Sequence, residues 1–275
     1  MVECILPWTD ILLQRVQEEY RNPPPTFQEV GPSDSDIQYV TQLCKKKDSF
    51  DTLQLKYDFY KRLQKNTAII HKTTSSHGDI LLLTFQNDSY NPPWKTWWRA
   101  IRLLSPNPVR VVIFAHPKKR LPPPHGNPLT EEHVNGGMTQ RCNEKTVIVY
   151  RKEEATRVLI HELFHANCSD PYTLPIPHLE ADTEAWAELV LCAMIAKGDP
   201  IEWKKQLDYQ VKYALTQANS AKTYHDVEDA DDYAWRYLTG RLDVWRHLGL
   251  NFPMKLPSIE KVKSLRFTAL EPENV

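Results

Sequence analysis

The residues with the clearest chemical pattern lie in the stretch TRVLIHELFHANC, residues 156–168. His161 and His165 are four residues apart, and Glu162 directly follows the first histidine. Apolar residues at helical spacing and the lack of a helix breaker predict a helix over residues 153–167. Residues four apart share one face of a helix, so both imidazoles can bind one tetrahedral ion. Glu162, about 100° around the helix, could then take a proton from a water activated by the metal. The alternative is a core helix with two hydrogen-bonded histidines.

A catalytic zinc ion needs a third protein ligand and one open position. A second predicted helix, residues 178–198, carries a row of acids at positions i, i+4 and i+8, namely Glu180, Glu184 and Glu188. The other residues of this helix are largely apolar, and acids buried beside them are costly unless they are paired or bind a metal. His178 is a further candidate, in a proline-rich stretch, and a solvated acidic face is the alternative to any metal site.

His161-Glu162-x-x-His165, followed by Glu184 after 18 residues, resembles the gluzincin group of zinc metallopeptidases. The resemblance covers residues 133–190 and implies a Zn²⁺ ion held by His161, His165 and Glu184. It also implies that Glu188, one turn after the glutamate ligand, hydrogen-bonds the first histidine and fixes its ring.

The stretch before the helix is similar to the same group. The sequence GGMTQ at 136–140 and the strand TVIVYR at 146–151 precede the helix in the order found in zinc aminopeptidases. The resemblance implies that an edge strand with Asn135, Gly136, Gly137 and Met138 pairs with an extended substrate. Thr139 stands where aminopeptidases have the glutamate that binds a free amino terminus, which favours an endopeptidase.

Gluzincins also have a downstream tyrosine or histidine that stabilises the oxyanion. Residues 222–245 are dense in both types, and the resemblance therefore makes four of them candidates: Tyr224, His225, Tyr233 and Tyr237. Tyr233 and Tyr237 share a helix face and could equally be core residues.

Composition limits the remaining functions. The 275 residues carry a formal net charge of −1, so nothing indicates binding to nucleic acid or to an acidic membrane surface. The five cysteines are odd in number and include no close pair, which predicts reduced thiols rather than a disulfide framework. No signal peptide or spanning helix is predicted, so we expect an intracellular, cytoplasmic protein of unknown oligomeric state.

The candidate residues must be positioned by the helices and strands around them. The order of these predicted elements indicates an α+β fold, with a small mixed β-sheet lobe followed by a mostly helical lobe. Strands are predicted at 79–85, 109–115, 133–139 and 146–151, and a tryptophan-rich core helix at 91–104. The predicted organisation is a helical N-terminal segment (1–75), a β-containing lobe with the substrate edge strand (76–152), a zinc-binding helical lobe (153–250) and a C-terminal tail (251–275). The resemblance implies that the catalytic core is zincin-like.

The function predicted from the sequence is hydrolysis of peptide bonds in a peptide or protein substrate, with Zn²⁺ as cofactor and Glu162 as general base. One alternative is a structural or interaction protein that keeps the metal without proteolysis. Another is a zinc hydrolase that acts on a non-peptide bond.

Overall fold

The computed structural model describes residues 6–143, 146–171, 173–252 and 263–270. Cys4 and most of the predicted C-terminal tail lie outside these ranges. The elements in chain order are α1 (Pro7–Arg21), β1 (Gln28–Val30), α2 (Asp34–Lys45), α3 (Leu55–Gln64), β2 (Ala68–Ser75), β3 (Gly78–Phe85), α4 (Trp94–Leu104), β4 (Val109–His116), α5 (Glu131–Val134), β5 (Gly137–Thr139), β6 (Val147–Arg151), α6 (Ala155–Ala166), α7 (Ile176–Ile195), α8 (Pro200–His225), α9 (Trp235–Leu238) and α10 (Gly240–His247).

The six described strands form one mixed sheet in the order β1-β2-β3-β4-β6-β5. Strands β3, β4 and β6 run parallel, while β1, β2 and β5 each pair antiparallel to their neighbours. This arrangement agrees with the predicted α+β class. It places β5 at one edge of the sheet, directly beside the strand that leads into α6.

Both faces of the sheet are buried, because successive side chains of a strand point to opposite sides. In β3 and β4, Ile80, Leu82 and Val111 belong to a core shared with α4, α6 and α7. Their neighbours Leu81 and Val112 pack instead with residues of α2 and α3. Helices therefore cover the sheet on both sides, and the tryptophan-rich α4 contributes fully buried residues to the core, as predicted.

The helical prediction for residues 1–75 is only partly right. Helices α1, α2 and α3 are present, and Ser33 caps α2, but β1 and β2 also belong to this segment. Strand β2 contains β-branched isoleucines and threonines, which favour strands, and it pairs with β3 along its whole length. Because α2 and α3 cover one face of the sheet, the segment is part of the main core.

The strand predicted at 133–139 is divided between two elements. Residues 131–134 form the short helix α5, which begins after a capping box between Thr130 and His133, and only residues 137–139 form β5. The local side-chain to backbone hydrogen bonds of the cap favour a helical turn over an extended strand.

The prediction that all cysteines are reduced is wrong for one pair. Cys142 and Cys168 form a disulfide, whereas Cys44 and Cys192 are buried free thiols. The two bonded cysteines are 26 positions apart and meet because the turn after β5 lies against the end of α6. There the backbone N–H groups of both cysteines donate to the carbonyl of His165. A pairing that arises from tertiary contact leaves no CxxC-type signal in the sequence.

The second half of the chain is mainly helical, as predicted, from α6 to α10. The longest helices, α7 and α8, lack the combination of length and apolar character that a membrane crossing needs, and so do the other described helices. Residues 263–270 then return to the helical core without regular secondary structure.

Candidate metal centre

Helix α6 places the two histidines where the sequence predicts them. It follows β6 after a turn in which Glu154 has a left-handed backbone conformation (φ 60°). Its apolar residues Leu159 and Leu163 are fully buried in the core, and this packing fixes the rotation of the helix. Nε2 of His161 lies 3.0 Å from Nε2 of His165, with the rings nearly perpendicular at 81°. Two aromatic nitrogens therefore converge on one point beside the helix.

The acid that completes this group is Glu180, in the first turns of α7. Its Oε2 lies 3.5 Å from Nε2 of His161, and its Oε1 lies 3.6 Å from Nε2 of His165. Zinc bonds of about 2.0–2.1 Å at tetrahedral angles separate neighbouring ligand atoms by roughly 3.4 Å. The donor atoms and their spacing therefore fit a zinc ion with two imidazoles and one carboxylate.

Glu184, the ligand predicted from the resemblance, lies on the other side of the first histidine. Its Oε1 is 3.0 Å from Nδ1 of His161, although the ring N–H is not aligned for a good hydrogen bond. Its Oε2 forms a buried ion pair with Arg157, which also donates to the Glu184 carbonyl at 3.0 Å. The structure thus differs from the prediction by one helical turn, because α7 meets α6 with Glu180, and not Glu184, opposite the Nε2 atoms.

Glu188 does not reach His161 in the way that the resemblance implied. Its side chain is fully buried, and its Oε2 lies 3.4 Å from Nε of Arg157. The position beside His161 that was predicted for Glu188 is taken by Glu184. The one-turn shift of the whole acid row explains both differences. The arginine that lies against Glu188 is Arg157, on α6.

Asp170 is a site residue that the sequence analysis missed. Nδ1 of His165 donates to Oδ2 of Asp170 at 2.9 Å, and Nε of Arg141 donates to the other carboxylate oxygen at 3.0 Å. A histidine that binds a metal commonly donates its second N–H to a carboxylate, which fixes the tautomer and the ring orientation. The only sequence signal is an acid five residues after His165, in a stretch without helical or strand periodicity.

The carboxylates dominate the electrostatics of the two imidazoles. Burial opposes the charged form of His161, but Glu184 and Glu180 outweigh it and raise its pKa to about 9. Burial likewise opposes charge on His165, while Asp170 and Glu180 raise its pKa to about 10. In the same way burial acts against ionised Glu184, yet Arg157 and His161 lower its pKa to about 2. The group favours positive charge, which protons supply when no metal is bound, so a metal ion that binds there would displace those protons.

Glu162 lines the same cleft as the donor group and lies against the edge strand. A Cβ added to Gly137 would lie 2.6 Å from Oε1 of Glu162, so glycine is what leaves room for the carboxylate there. Burial raises the pKa of Glu162, against the opposing effect of His161 and His165. A carboxylate with a raised pKa, close to a metal site, has the properties of a general base.

The predicted substrate strand is only partly extended. Gly137 and Met138 lie in β5, paired to β6 on one side, and the other side of β5 has no strand partner among the described residues. Asn135 instead ends α5 and is held by Phe50 and Tyr233. Gly136 accepts a hydrogen bond from the N–H of Tyr150. All four predicted residues, Asn135 to Met138, line the cleft of about 220 Å³ that contains the histidines.

Of the four downstream candidates for the oxyanion donor, the structure brings Tyr237 to this cleft. Tyr233 lies behind it, and its hydroxyl donates to Oδ1 of Asn135 at 2.8 Å. Tyr224 is stacked on His125, with ring centroids 4.0 Å apart, and Nδ1 of His225 donates to the carbonyl of Asn127. Neither Tyr224 nor His225 belongs to the described lining of the cleft.

Two residues of the cleft wall come from parts of the chain that the sequence analysis left without a role. Arg120 lies in the proline-rich loop after β4, and Phe267 in the C-terminal segment 263–270. A larger cavity of about 940 Å³ lies near Lys152 and Ala155, at the start of α6, and its lining includes none of the three metal-donor residues. The smaller cleft is therefore the candidate site.

Comparisons of this chain with protein families, with curated proteins and with solved structures find no match.

Proposed function

We propose that this protein is a zinc-dependent peptidase of the gluzincin type, with His161, His165 and Glu180 as the metal ligands. The observation that carries the proposal is the convergence of two histidine Nε2 atoms, 3.0 Å apart, with the Glu180 carboxylate, whose oxygens lie 3.5 and 3.6 Å from them, beside a buried glutamate and an open strand edge. Asp170 accepts a hydrogen bond from the outer nitrogen of His165, and Glu184 lies 3.0 Å from the outer nitrogen of His161, where acids around catalytic zinc sites are commonly found.

When bound there, zinc supplies a Lewis acid that polarises a carbonyl and lowers the pKa of a water molecule toward 7. Glu162 takes a proton from the attacking water and delivers it to the leaving amine. Its raised pKa suits both steps, because the group must gain and then lose a proton near neutral pH.

The edge strand and Tyr237 perform the remaining tasks. An extended peptide can add to the free side of β5 through main-chain hydrogen bonds, which places its carbonyl near Glu162. Burial raises the pKa of Tyr237, so its hydroxyl keeps its proton and can donate to a developing oxyanion. Main-chain pairing does not need a free amino terminus, which supports endopeptidase activity.

A zinc-binding protein without activity is a weaker explanation of the same site. A metal that serves structure alone needs a closed ligand set, whereas this group lies in an open cleft. It also does not need Glu162, whose burial next to the donor group disfavours the ionised carboxylate.

Substitution of Glu162 by glutamine tests the proposal. We expect Glu162→Gln to keep the fold and one zinc per chain, while hydrolysis of a peptide library falls by about 100-fold or more, because the amide cannot accept the proton. Metal analysis and mass spectrometry of the library provide the two readouts. Glu202→Gln, at an exposed position of α8, is the matched control and should change neither.

Three outcomes would contradict parts of the proposal. Activity of Glu162→Gln within a few-fold of the wild type would remove Glu162 from the mechanism. Full zinc content without cleavage of any peptide would favour the structural role. Hydrolysis confined to esters or other non-peptide amides would favour a different class of zinc hydrolase.

A further inference from the structure

Arg120 is a fully buried arginine in the wall of the candidate site. Most of its polar groups have partners. Its backbone N–H donates to Glu153 at 2.7 Å, its Nε donates to the carbonyl of Val134 at 3.1 Å, and its Nη1 pairs with Glu154 at 2.5 Å. These bonds fix the plane of the guanidinium within the wall.

The remaining nitrogen, Nη2, has no hydrogen-bond acceptor among the described residues. A buried guanidinium N–H without an acceptor is unfavourable, so such an atom commonly marks a position where a ligand supplies one. The C-terminal segment keeps the group in place, because the ring of Phe267 lies 4.7 Å from the guanidinium and the N–H of Leu265 donates to the Arg120 carbonyl at 3.1 Å.

The glycines of the edge region locate Nη2 relative to the reacting groups. A Cβ on Gly136 would collide with Nη2 of Arg120, and a Cβ on the next residue, Gly137, would meet Glu162. The Cα atoms of neighbouring residues are about 3.8 Å apart. Nη2 of Arg120 and the Glu162 carboxylate, the proposed general base, therefore lie beside two consecutive residues of the edge region, Gly136 and Gly137.

We infer that Arg120 selects substrates with a carboxylate close to the bond that is cleaved. A guanidinium with one edge already fixed by Glu154 presents its other N–H groups in the planar geometry that a second carboxylate accepts. The inference rests on the proposed function, because it assigns the substrate class of the same cleft. The carboxylate could belong to an aspartate or glutamate side chain or to the C-terminus of the peptide.

The test uses four peptide pools of equal length, each with a fixed central residue in a randomised sequence. The centre is either glutamate or glutamine, and the C-terminus is either a free acid or an amide. Affinity is measured with zinc-loaded Glu162→Gln protein, which should bind without cleaving, and cleavage rates are measured with the wild type. We expect the pools with a preferred carboxylate to bind about 10-fold better or more than the matched neutral pool, as for a charge-assisted hydrogen bond. A difference between the glutamate and glutamine pools assigns the carboxylate to a side chain. A difference between the free-acid and amide pools assigns it to the C-terminus.

Variants of Arg120 connect the preference to this residue. In Arg120→Gln the ratio of affinities between acidic and neutral pools should fall to about 1, even if the variant binds both kinds of pool more weakly. Because that variant leaves Glu154 buried without its partner, the double variant Arg120→Gln/Glu154→Gln removes both charges and keeps the measurement possible. Arg99→Gln is the matched control: Arg99 is also buried and paired with an acid, Glu19, but outside the cleft, so its loss should leave the ratio unchanged.

The outcomes separate this inference from the proposed function. Cleavage of all four pools at equal rates would support the peptidase and overturn the role of Arg120. An equal loss of affinity for acidic and neutral pools in the Arg120 variants would show that Arg120 binds a main-chain carbonyl, which also overturns carboxylate selection. Selective binding of the acidic pools without cleavage by the wild type would support the inference and contradict the peptidase.

Discussion

Each histidine of the candidate site has an acid beside its second ring nitrogen, an arrangement that commonly fixes the ring of a metal-binding histidine. Asp170 accepts a hydrogen bond from Nδ1 of His165, and Oε1 of Glu184 lies 3.0 Å from Nδ1 of His161 without good hydrogen-bond alignment. Both Nε2 atoms face Glu180. At the scale of single residues, therefore, we propose distinct tasks for three acids: Glu180 binds the metal, while Glu184 and Asp170 orient the imidazoles.

The division of tasks between Glu180 and Glu184 can be tested by two matched variants on the same row of α7. We expect Glu180→Gln to lose most of its zinc affinity and to destabilise the metal-free protein less than Glu184→Gln does, because the Glu180 side chain is 20% exposed in the cleft whereas Glu184 is buried. Glu184→Gln should weaken zinc binding by about 10- to 100-fold. It should also destabilise the metal-free protein by about 3–5 kcal/mol, because it breaks the buried pair with Arg157.

Zinc titration and thermal unfolding of the metal-free proteins provide the measurements. If Glu184→Gln loses the metal while Glu180→Gln retains it, the ligand set implied by the gluzincin spacing is right, and the one described here is wrong. His161→Ala serves as the reference for complete loss of a ligand.

At the scale of elements, the site depends on how β5, α6 and α7 are held together. The disulfide between Cys142 and Cys168 ties the turn after β5 to the end of α6, three residues beyond His165. The loop that it closes contains β6 and α6, and α6 carries the whole HExxH motif. Stable disulfides are typical of oxidising compartments, which opposes the intracellular location expected from the sequence.

Removal of this bond should destabilise the protein. We expect the Cys142→Ser/Cys168→Ser variant to lose about 2–4 kcal/mol of unfolding free energy, because the closed loop no longer restricts the unfolded chain. Denaturant unfolding measures the loss. Cys44→Ser, at an unpaired buried thiol, is the control: it keeps the disulfide, so its stability should still fall on reduction, whereas that of the double variant should not respond to reductant. If alkylation in denaturant without reductant labels Cys142 and Cys168, the two thiols are free and the prediction fails.

At the scale of the whole molecule, the site is built from segments far apart in the chain. The C-terminal segment 263–270 reaches the cleft wall because α8 and α10 hold its backbone. Nε2 of Gln210 and Nη1 of Arg241 both donate to the carbonyl of Phe267, at 2.8 and 2.6 Å. The ring of Phe267 is stacked on Tyr237, with centroids 5.5 Å apart. The segment predicted as a tail thus supplies one side of the site.

Truncation of Phe267 separates its contribution to the fold from its contribution to the cleft. We expect Phe267→Ala to cost about 3–5 kcal/mol of stability, as for other buried phenylalanines. It should also raise KM for peptides, because the ring supports both Tyr237 and Arg120. Phe59→Ala is the matched control: Phe59 is fully buried on the other face of the sheet, so it should lower stability without changing KM. Equal KM values for the two folded variants would remove Phe267 from the substrate cleft.

The sequence by itself determined the features that depend on local periodicity. Four-residue spacing on a helix places His161 and His165 together, and buried apolar runs predicted β3, β4 and β6. The same periodicity identified the acid row on α7, since its members share one face whatever the helix packs against. It could not distinguish Glu180 from Glu184, because both fit that row equally well.

Only the tertiary structure decided which turn of α7 faces the histidines, because that choice depends on how α7 packs against α6. Asp170, Arg120 and Phe267 lie in segments without periodic structure, so their contacts have no local signature. The disulfide likewise depends on two loops meeting in space. Contacts inside one element follow from backbone geometry, whereas contacts between elements follow from how the core packs.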